Sequence, residues 1–596
     1  MFLRVKERYK DGKLHRYWSV VENRRTASRR VVQRHVLYLG EINDSQRESW
    51  ARTIEILEHG QRRARQVALY PDDGRAVSKE HEVIRIRMNE IELHRPRQWG
   101  ACWLACELWE RLQLNQLWSE RLAPSREGTR WKNVLETLVC YRLISPGSEW
   151  RLHRLWYEAS AMGDLLGEDF SLVQIDKLYR CLDKLVDHKR DLFSFLRRRW
   201  EDMFAVGFDV LLYDLTSTYF ECDPPGSGKR KFGYSRDKRP DCVQVVIALI
   251  VTPEGFPLAY EVMDGNTSDK STLSGFLKKI EEQYGKANRI WIMDRGIPTE
   301  KTLAEMRSAT PPVSYLVGTP RGRLTRFEKK FLAMPWETVR ESVEVKLLEQ
   351  GGELYVLAKS NDRAQKERAI RRRRLKTLWY RLRELQNQKL TRDELLMKLG
   401  AAKKEAGTVY RLVHVHLPKE QEVVSPQTFT FTLRKEKLRM AMRREGQYLL
   451  RSNLCTADPA TLWQHYIRLT EVEQAFKNLK GDLSLRPIFH RRDSRIDAHI
   501  FVAFIAYCLH VTLKQRLRQE APGLSPREVL DKFACIQMVD VHLPTSDGRV
   551  FILSRYTHPE KDHQMLLAQL SLHLPSQPPP KIANYGESIS EAPVLM

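Results

Sequence analysis

The chain has 596 residues, of which 42% are hydrophobic and 30% are charged, and this composition excludes a disordered or collagen-like protein. Its 100 Lys and Arg residues outnumber its 76 Asp and Glu residues, and a net charge of +24 in a folded protein indicates a polyanionic partner. A diffusely basic surface without such a partner is the alternative. The longest apolar run, residues 500–509, is too short to span a membrane, and the charged amino-terminal residues do not resemble a signal peptide. We therefore expect a cytoplasmic protein without a membrane partner.

Two domains are predicted before residue 206. Strand-forming residues at 17–22 and 36–40 flank an arginine-rich stretch, which predicts a small β-containing module over residues 1–85 that contacts DNA phosphates. Apolar residues at helical spacing follow, so we predict a helical domain over residues 86–205. Nine scattered cysteines show no spacing typical of a zinc site.

From residue 207 the pattern changes to short apolar strands alternating with helices. We predict strands at 207–214, 243–251, 257–262, 289–294 and 313–317, with helices at 269–283 and from 299. This order is that of a ribonuclease H-like fold, so the predicted class is α/β with a mixed sheet. The first and fourth strands would then lie side by side. Asp214 and Asp294, each expected to close its strand, would converge at one edge of the sheet.

An interruption of the predicted core spans residues 321–455. Strand-like pieces at 354–358 and 429–433 surround a helical segment over residues 363–400 and predict a β-rich insertion. Residues 361–400 hold 13 Lys and Arg against 5 Asp and Glu, and four arginines are consecutive: Arg371, Arg372, Arg373 and Arg374. A basic arm that binds DNA phosphates and an ordinary solvated helix both explain this segment.

The predicted core resumes over residues 456–520, so that its two parts are 206–320 and 456–520. A long helix at 459–480 is followed by a buried apolar helix at 496–517. Residues 521–575 form a small carboxyl-terminal segment. The proline-rich start of residues 576–596 predicts a disordered tail.

The carboxylates are the candidate chemical groups. Cleavage of a phosphodiester uses carboxylates that hold two divalent ions about 4 Å apart, and Asp214 and Asp294 are candidate ligands, although an Asp at a strand end is often a turn residue. On the 459–480 helix, Tyr466, Glu473 and Lys480 are seven residues apart and share one stripe. Glu473 would bind metal, Lys480 a phosphate, and Tyr466 a sugar or phosphate.

Two alternatives to this assignment remain open. An amphipathic helix with Glu473 paired to Lys477 explains the same stripe. Glu471 is a rival third ligand, but it lies ~200° around the helix from Glu473.

Five ordered motifs carry a resemblance to a known family. They are residues 213–221, 233–241, 265–269 and 294–296 and the helix with Tyr466, Glu473 and Lys480. Together they resemble bacterial insertion-sequence DDE transposases, in the IS-four-like superfamily with a Tyr, Arg, Glu, Lys signature on the catalytic helix. The resemblance spans about 205–515.

The resemblance implies a ribonuclease H-like core interrupted by a β-rich insertion before the glutamate. It implies a catalytic, metal-binding triad of Asp214, Asp294 and Glu473, two Mg²⁺ ions with Mn²⁺ as a substitute, and signature roles for Tyr466 and Lys480. One residue departs from the pattern, because Leu469 stands where the signature has arginine.

The implied function is that of a transposase with double-stranded DNA as its partner, both element ends and target. It would bind the terminal inverted repeats, with the helical domain as a candidate end-binding region, cleave the ends and transfer each 3′-hydroxyl to target DNA. Two ends imply a homodimer in the synaptic complex. The alternatives are an inactive DNA-binding protein or repressor derived from such an element, and a ribonuclease H-like nuclease without strand transfer.

Overall fold

The computed structural model of the chain describes residues 2–10, 13–25, 31–41, 85–268, 272–285, 287–319, 327, 330–331, 333–340, 343–420, 422–454, 458–546 and 548–584. The strands, numbered in chain order, are β1 (Phe2–Lys10), β2 (Lys13–Arg25), β3 (Val31–Glu41), β4 (Glu92–Gln98), β5 (Val210–Phe220), β6 (Val243–Val251), β7 (Pro257–Asp264), β8 (Ile290–Met293), β9 (Ser314–Thr319), β10 (Glu337–Arg340), β11 (Val343–Glu349), β12 (Leu354–Ser360), β13 (Val413–His416), β14 (Thr430–Leu433), β15 (Gln447–Ser452), β16 (Gln537–Pro544), β17 (Arg549–Tyr556) and β18 (Lys581–Asn584).

The α-helices are α1 (Gly100–Arg111), α2 (Leu114–Arg121), α3 (Trp131–Ile144), α4 (Glu149–Arg151), α5 (Tyr157–Ala159), α6 (Met162–Leu166), α7 (Ile175–Leu182), α8 (Lys189–Phe204), α9 (Leu273–Tyr284), α10 (Glu300–Ser308), α11 (Asn361–Asn387), α12 (Arg392–Ala406), α13 (Lys435–Arg443), α14 (Pro459–Ile467), α15 (Leu469–Lys480), α16 (Asp493–Glu520), α17 (Pro526–Phe533) and α18 (Lys561–Gln569). Short 3₁₀ turns occur at Met88–Glu90, Phe170–Val173, Val186–His188 and Gly407–Leu412, and a π turn at Leu152–Trp156.

One compact unit comprises residues 1–104, 154–170 and 520–596. It contains an antiparallel sheet of order β1-β2-β3, which includes both strands predicted in the amino-terminal module. Residues 42–84 of that predicted module lie outside the described residues. A second antiparallel sheet has the order β18-β17-β16-β4.

This second sheet differs from the prediction at both of its edges. Strand β4 lies in the predicted helical domain, where Leu93 is its single strongly apolar residue and the sequence signal is weak. Strand β18 lies in the predicted disordered tail, and Ile582 packs against a small apolar cluster that includes Phe551. Ile582 is partly buried, and residues 581–584 pair with β17 as a strand of the sheet, whereas residues 585–596 lie outside the described part of the chain.

The larger unit comprises residues 105–153 and 171–519 and is built on a nine-stranded sheet. Its strand order is β10-β11-β12-β15-β9-β8-β5-β6-β7. Strands β5, β8 and β9 are parallel to one another, whereas β6 and β7 form an antiparallel meander with β5. Every residue of β6 is buried, because helices cover both faces of the sheet centre. The mixed α/β class and the predicted order of core elements are therefore confirmed.

Helix α16 is the apolar helix predicted near residue 500. Among the described residues it is long and apolar enough to cross a membrane, but 94% of its most apolar stretch is buried inside the protein. Tyr260 of β7 stacks on Phe504 with 4.0 Å between ring centroids, and Trp200 donates a hydrogen bond to Thr512. These contacts make α16 the core helix of the unit.

The insertion is not separate from the main sheet. Its strands β10, β11, β12 and β15 continue the sheet beyond β9, because β15 pairs antiparallel with β9. The predicted single helical segment at 363–400 is two helices, α11 and α12, with a capping box formed by Thr391 and Glu394 at the start of the second. Buried leucines that include Leu378, Leu382 and Leu395 pack these helices together.

The predicted long helix at 459–480 is also two helices, and this is a correction that affects the site. At Arg468 the hydrogen bonds run to residues three positions earlier: Arg468 N donates to His465 O and Glu471 N donates to Arg468 O. This tighter turn ends α14 and begins α15. The assumption of one regular helix through Tyr466, Glu473 and Lys480 is therefore wrong.

Candidate active site

Asp214 lies in the middle of β5, although the sequence predicted that it would end the strand. The following residues, except for Ser217, are β-branched, aromatic or aliphatic, and they extend the strand to Phe220 by pairing with β6. On its other side β5 runs parallel to β8, and Tyr213 is the register partner of Met293. The next residue along each strand is an aspartate.

Asp294 directly follows β8 and is exposed. Because β5 and β8 are parallel neighbours in this register, Asp214 of β5 lies beside Asp294, the residue that follows β8. The prediction that the first and fourth strands of the core are adjacent is confirmed.

Glu473 reaches the same place from a helix. Helix α15 packs on β5 and β6, with Leu469, Val472, Phe476 and Leu479 among its buried residues. Glu473 is exposed and lies at the border of this apolar stripe, one turn from Leu469 and from Phe476. Burial raises the pKa of Glu473, and the negative charge of Asp294 raises it further.

The three carboxylates repel one another. Burial raises the pKa of Asp214 to about 7, and the charges of Asp294 and Glu473 add to this shift, while the Arg236 guanidinium opposes it. A divalent cation would relieve this repulsion and return the group to its ionised form. Carboxylate oxygens are the ligands that Mg²⁺ prefers, so the donor set fits such an ion.

A cavity of about 230 Å³ adjoins two of these carboxylates. Its lining comprises Asp294, Arg295, Gly318, Thr319, Arg363, Gln447, Tyr448, Leu449, Tyr466 and Glu473. Tyr466, at the end of α14, stacks on Tyr448 of β15 with 5.8 Å between ring centroids. Burial raises the pKa of Tyr466 to about 12, so its hydroxyl stays protonated and can donate a hydrogen bond.

Arg363 and Tyr448 line this cavity but were missed by the sequence analysis. The Arg363 guanidinium lies over the Tyr448 ring, 5.0 Å from its centroid, and its Nε donates to Glu367 Oε1 at 3.2 Å. Both residues belong to the insertion, at the start of α11 and on β15. A local pattern does not reveal them, because they come beside the core through the pairing of β15 with β9 and of β12 with β15.

Lys480 lies at the end of α15 in a network of charges. Its Nζ donates to Asp237 Oδ1 at 2.9 Å, and Arg486 contacts the other oxygen of Asp237 at 2.7 Å. Burial lowers the pKa of Lys480, and Asp237 opposes this shift. Arg486 and Arg239 lie over the ring of Tyr219. The predicted phosphate-binding lysine is therefore held in place by a carboxylate.

The residues that rivalled or departed from the predicted signature have clear structural roles. Glu471 forms ion pairs with Lys514 at 2.7 Å and with Arg518 at 2.9 Å, on the side of α15 that meets α16. Leu469 is buried in the interface of α15 with the sheet. An arginine at position 469 would have to bury its charge there, which costs free energy unless the charge is paired.

The four consecutive arginines do not form one surface. Arg371 is half-buried and forms an ion pair with Glu445, whereas Arg372, Arg373 and Arg374 are exposed. Arg371 and Arg374 line a separate cavity of about 690 Å³ together with further basic residues, Arg411, Lys437 and Arg444. Three of the four predicted DNA contacts therefore remain available to a phosphate backbone.

The chain was compared with known proteins. A family model described as "Transposase DDE domain" matches residues 209–509, and a model described as "IS1634 family transposase, N-terminal domain" matches residues 3–72. Among solved structures, a piggyBac transposase synaptic complex with hairpin DNA is similar at 10% identity and a TM-score of 0.33, over 74% of this chain and 82% of that chain. No curated protein matches the chain.

Proposed function

The chain belongs to the family of transposases with a DDE domain, and from that premise we propose that Asp214, Asp294 and Glu473 are its catalytic carboxylates. The enzyme would bind the terminal inverted repeats of its insertion sequence, cleave the DNA at those ends and join them to target DNA. The observation that carries this proposal is the position of the three carboxylates, because Asp214 and Asp294 come from adjacent parallel strands and Glu473 of α15 lines the same cavity as Asp294.

We further propose that the core is ribonuclease H-like. The sheet order β9-β8-β5-β6-β7, with the aspartates on the adjacent parallel strands β5 and β8, supports this assignment. The insertion would then extend the same sheet from β9 outward. The predicted domains 86–205, 321–455 and 521–575 remain proposals, with 86–205 as the candidate region for binding the element ends and 321–455 as the insertion that carries the basic helical segment.

The proposed cofactor is a pair of Mg²⁺ ions, with Mn²⁺ as a substitute. Asp214, Asp294 and Glu473 would hold them, and when bound they would activate the attacking oxygen and stabilise the leaving oxygen. The first reaction is attack of water on a phosphodiester, which yields a 3′-hydroxyl and a 5′-phosphate. In the second, that 3′-hydroxyl displaces a 3′-oxygen from the target strand.

Three side chains are proposed to hold the DNA backbone at this site. Tyr466 would donate its hydroxyl to a sugar or phosphate oxygen, and Lys480 would bind a phosphate beside α15. Arg363 would supply the cavity with the positive charge that the signature places at position 469. Its half-exposed guanidinium, already oriented by Tyr448, supports this role.

Binding to the duplex outside the site is assigned to basic surfaces. The net charge of +24 and the exposed Arg372, Arg373 and Arg374 support contacts with phosphates of the element ends or target. Two ends in one reaction favour a homodimer in the synaptic complex, and a DNA substrate favours a cytoplasmic enzyme associated with the nucleoid.

One experiment tests the proposed function against its alternatives. Purified protein is incubated with Mg²⁺ and a DNA fragment that carries both ends of its element, and the products are separated by size. A transposase gives cleaved ends and joined products. A nuclease gives cleaved ends without joined products, and an inactive DNA-binding protein gives a shifted complex with intact DNA; either result would contradict the proposal.

A further inference from the structure

A buried cluster of one carboxylate and two imidazoles lies in the larger unit. It comprises Glu149 of α4, His490 of the segment between α15 and α16, and His499 of α16. The side chains are 6%, 6% and 2% exposed, respectively. None of them belongs to the proposed DNA-cleavage site.

The two nitrogen–oxygen distances in this cluster are long for charge-assisted hydrogen bonds and match the separation of two ligands of one metal ion. His490 Nε2 lies 3.2 Å and His499 Nδ1 lies 3.3 Å from the same oxygen, Glu149 Oε1. Charge-assisted hydrogen bonds between such groups are usually about 2.7–2.9 Å long. Ligand atoms placed tetrahedrally at ~2.0–2.1 Å from a zinc ion lie about 3.3 Å apart.

The second nitrogen of His499 indicates which tautomer is present. His499 Nε2 lies 3.2 Å from the carbonyl oxygen of Leu485, which can only accept a hydrogen bond. Nε2 therefore carries the proton, and Nδ1 of a neutral ring directs a lone pair at Glu149 Oε1. A hydrogen bond from one ring nitrogen to a backbone carbonyl is the usual support of a metal-binding histidine.

A neutral imidazole and an anionic carboxylate are the forms that bind metal. In this tautomer the Nδ1 lone pair of His499 and the oxygen Oε1 of Glu149 face each other without a proton between them, and a metal ion would bridge the two atoms.

We propose that Glu149, His490 and His499 bind one divalent transition-metal ion, with zinc as the physiological occupant. Nitrogen and carboxylate ligands suit zinc better than the harder Mg²⁺ of the cleavage site. No local sequence spacing predicts this site, because His490 and His499 lie 341 and 350 residues after Glu149.

The site would fix the segment that connects α15 with α16. That segment carries Arg486, which contacts Asp237, and Asp237 in turn holds Lys480. The metal would tie this segment to α4 and to the first turns of α16. It would thereby support the position of Lys480 without contact with DNA.

A rival explanation uses a buried arginine. Burial lowers the pKa of Arg142, and the charge of Glu149 opposes this shift, so the two groups interact. On this account Glu149 is the counter-ion of Arg142, and the two histidines are polar packing groups without a metal. The two explanations differ in metal content and in the response to chelation.

The test measures metal in the full-length protein, produced in zinc-supplemented medium and freed of any histidine tag. We expect about one zinc ion per chain by mass spectrometry of the elements. A strong chelator should lower the thermal midpoint of unfolding, and added Zn²⁺ but not Mg²⁺ should restore it. Absence of transition metal, with a midpoint unaffected by chelator and by Zn²⁺, would overturn the proposal without bearing on DNA cleavage.

Variants locate the ion within the chain. H499A and H490A should each lose zinc, whereas H510A removes another buried histidine of α16 that contacts Asn478 and should keep it. Asp214→Asn should also keep zinc, which separates this site from the catalytic carboxylates. Loss of zinc from H510A or Asp214→Asn but not from H499A would contradict the assignment. If H499A does not fold, the chelation result on the parent protein decides.

Discussion

Gly318 of β9 lies directly against the hydroxyl of Tyr466. A Cβ atom at position 318 would come within 2.8 Å of that oxygen and 3.3 Å of the Arg295 backbone nitrogen. The glycine thus allows the tyrosine to reach the cavity beside Asp294 and Glu473. The turn at Arg468 places Tyr466 and Glu473 on two different helices. The close approach of Tyr466 to Gly318 nevertheless brings its hydroxyl to the cavity that Glu473 lines.

Substitution of Gly318 by Ala should therefore displace Tyr466 and Arg295 and leave all three carboxylates in place. We expect DNA cleavage to fall roughly tenfold to a hundredfold, because misplacement of positioning groups by about 1 Å has effects of this size. The control is Gly275→Ala in α9, where the added methyl meets no atom within 4 Å. Equal cleavage rates for the two variants would show that the close approach is irrelevant to the reaction.

The proposed contact of Arg363 with the scissile phosphate can be tested by removing the negative charge of that phosphate. Arg363→Ala should slow cleavage, and Arg363→Lys should restore part of the rate. Lys301→Ala, whose side chain on α10 is 88% exposed, should have no effect on cleavage. A DNA with a neutral methylphosphonate at the scissile position lacks the charge that Arg363 would bind. With that DNA, Arg363→Ala should be no slower than the parent protein; an undiminished defect would mean that Arg363 only stabilises the fold.

The exposed arginines of α11 should contribute affinity without sequence preference. Joint substitution of Arg372, Arg373 and Arg374 by Ala should weaken binding to any duplex and reduce the slope of log affinity against log salt by ~0.9 per lost phosphate contact. Arg371 is left unchanged because it is paired with Glu445. Lys301→Ala on α10, whose side chain is 88% exposed, serves as the control. An unchanged slope would show that these arginines do not contact phosphates and that they form an ordinary solvated face of the helix.

Glu136 predicts a pH dependence of stability. This carboxyl is buried in α3, and burial raises its pKa to about 7. Because this pKa is higher in the folded than in the unfolded chain, the unfolded chain loses the proton at lower pH. The free energy of unfolding therefore falls as the pH rises from about 4.5 to about 7. Glu136→Gln should therefore unfold at a higher temperature than the parent at pH 8, with a gain on the order of 2–3 kcal/mol, and show little difference at pH 4. The exposed Glu120→Gln should show no such pH-dependent gain.

The contrast between Asp214 and Arg363 shows how far the sequence was informative. The adjacency of Asp214 and Asp294 follows from element order alone, because the order of strands and helices determines which strands are parallel neighbours. Arg363 and Tyr448 lie at the site because β12 pairs with β15, which follows it nearly a hundred residues later in the chain. No local periodicity of the sequence predicts that pairing.

The turn at Arg468 shows a second limit. The stripe of Tyr466, Glu473 and Lys480 was predicted from a regular helix, and no proline or glycine marks the break. The break consists of two short hydrogen-bonded turns beside the buried Leu469, and no local sequence signal predicts it. Glu473 still reaches the aspartates, because α15 itself packs on β5 and β6 and does not need to continue α14.

Glu471 and Glu473 of α15 form a matched pair with which the proposed triad can be tested. Glu471 holds Lys514 and Arg518, so Glu471→Gln should lower stability by about 1 kcal/mol and leave cleavage intact. Glu473→Gln and Asp214→Asn should fold and bind element ends as the parent does, because each exchange changes charge and little else.

The most direct measurement is therefore the rate of strand cleavage in Mg²⁺ by these three variants on DNA that carries the element ends. We expect no detectable cleavage or joining by Glu473→Gln and Asp214→Asn, and a rate near that of the parent for Glu471→Gln. Cleavage by Asp214→Asn at roughly a tenth of the parent rate or more would exclude it as a metal ligand. An active Glu473→Gln beside an inactive Glu471→Gln would contradict the assignment of the triad.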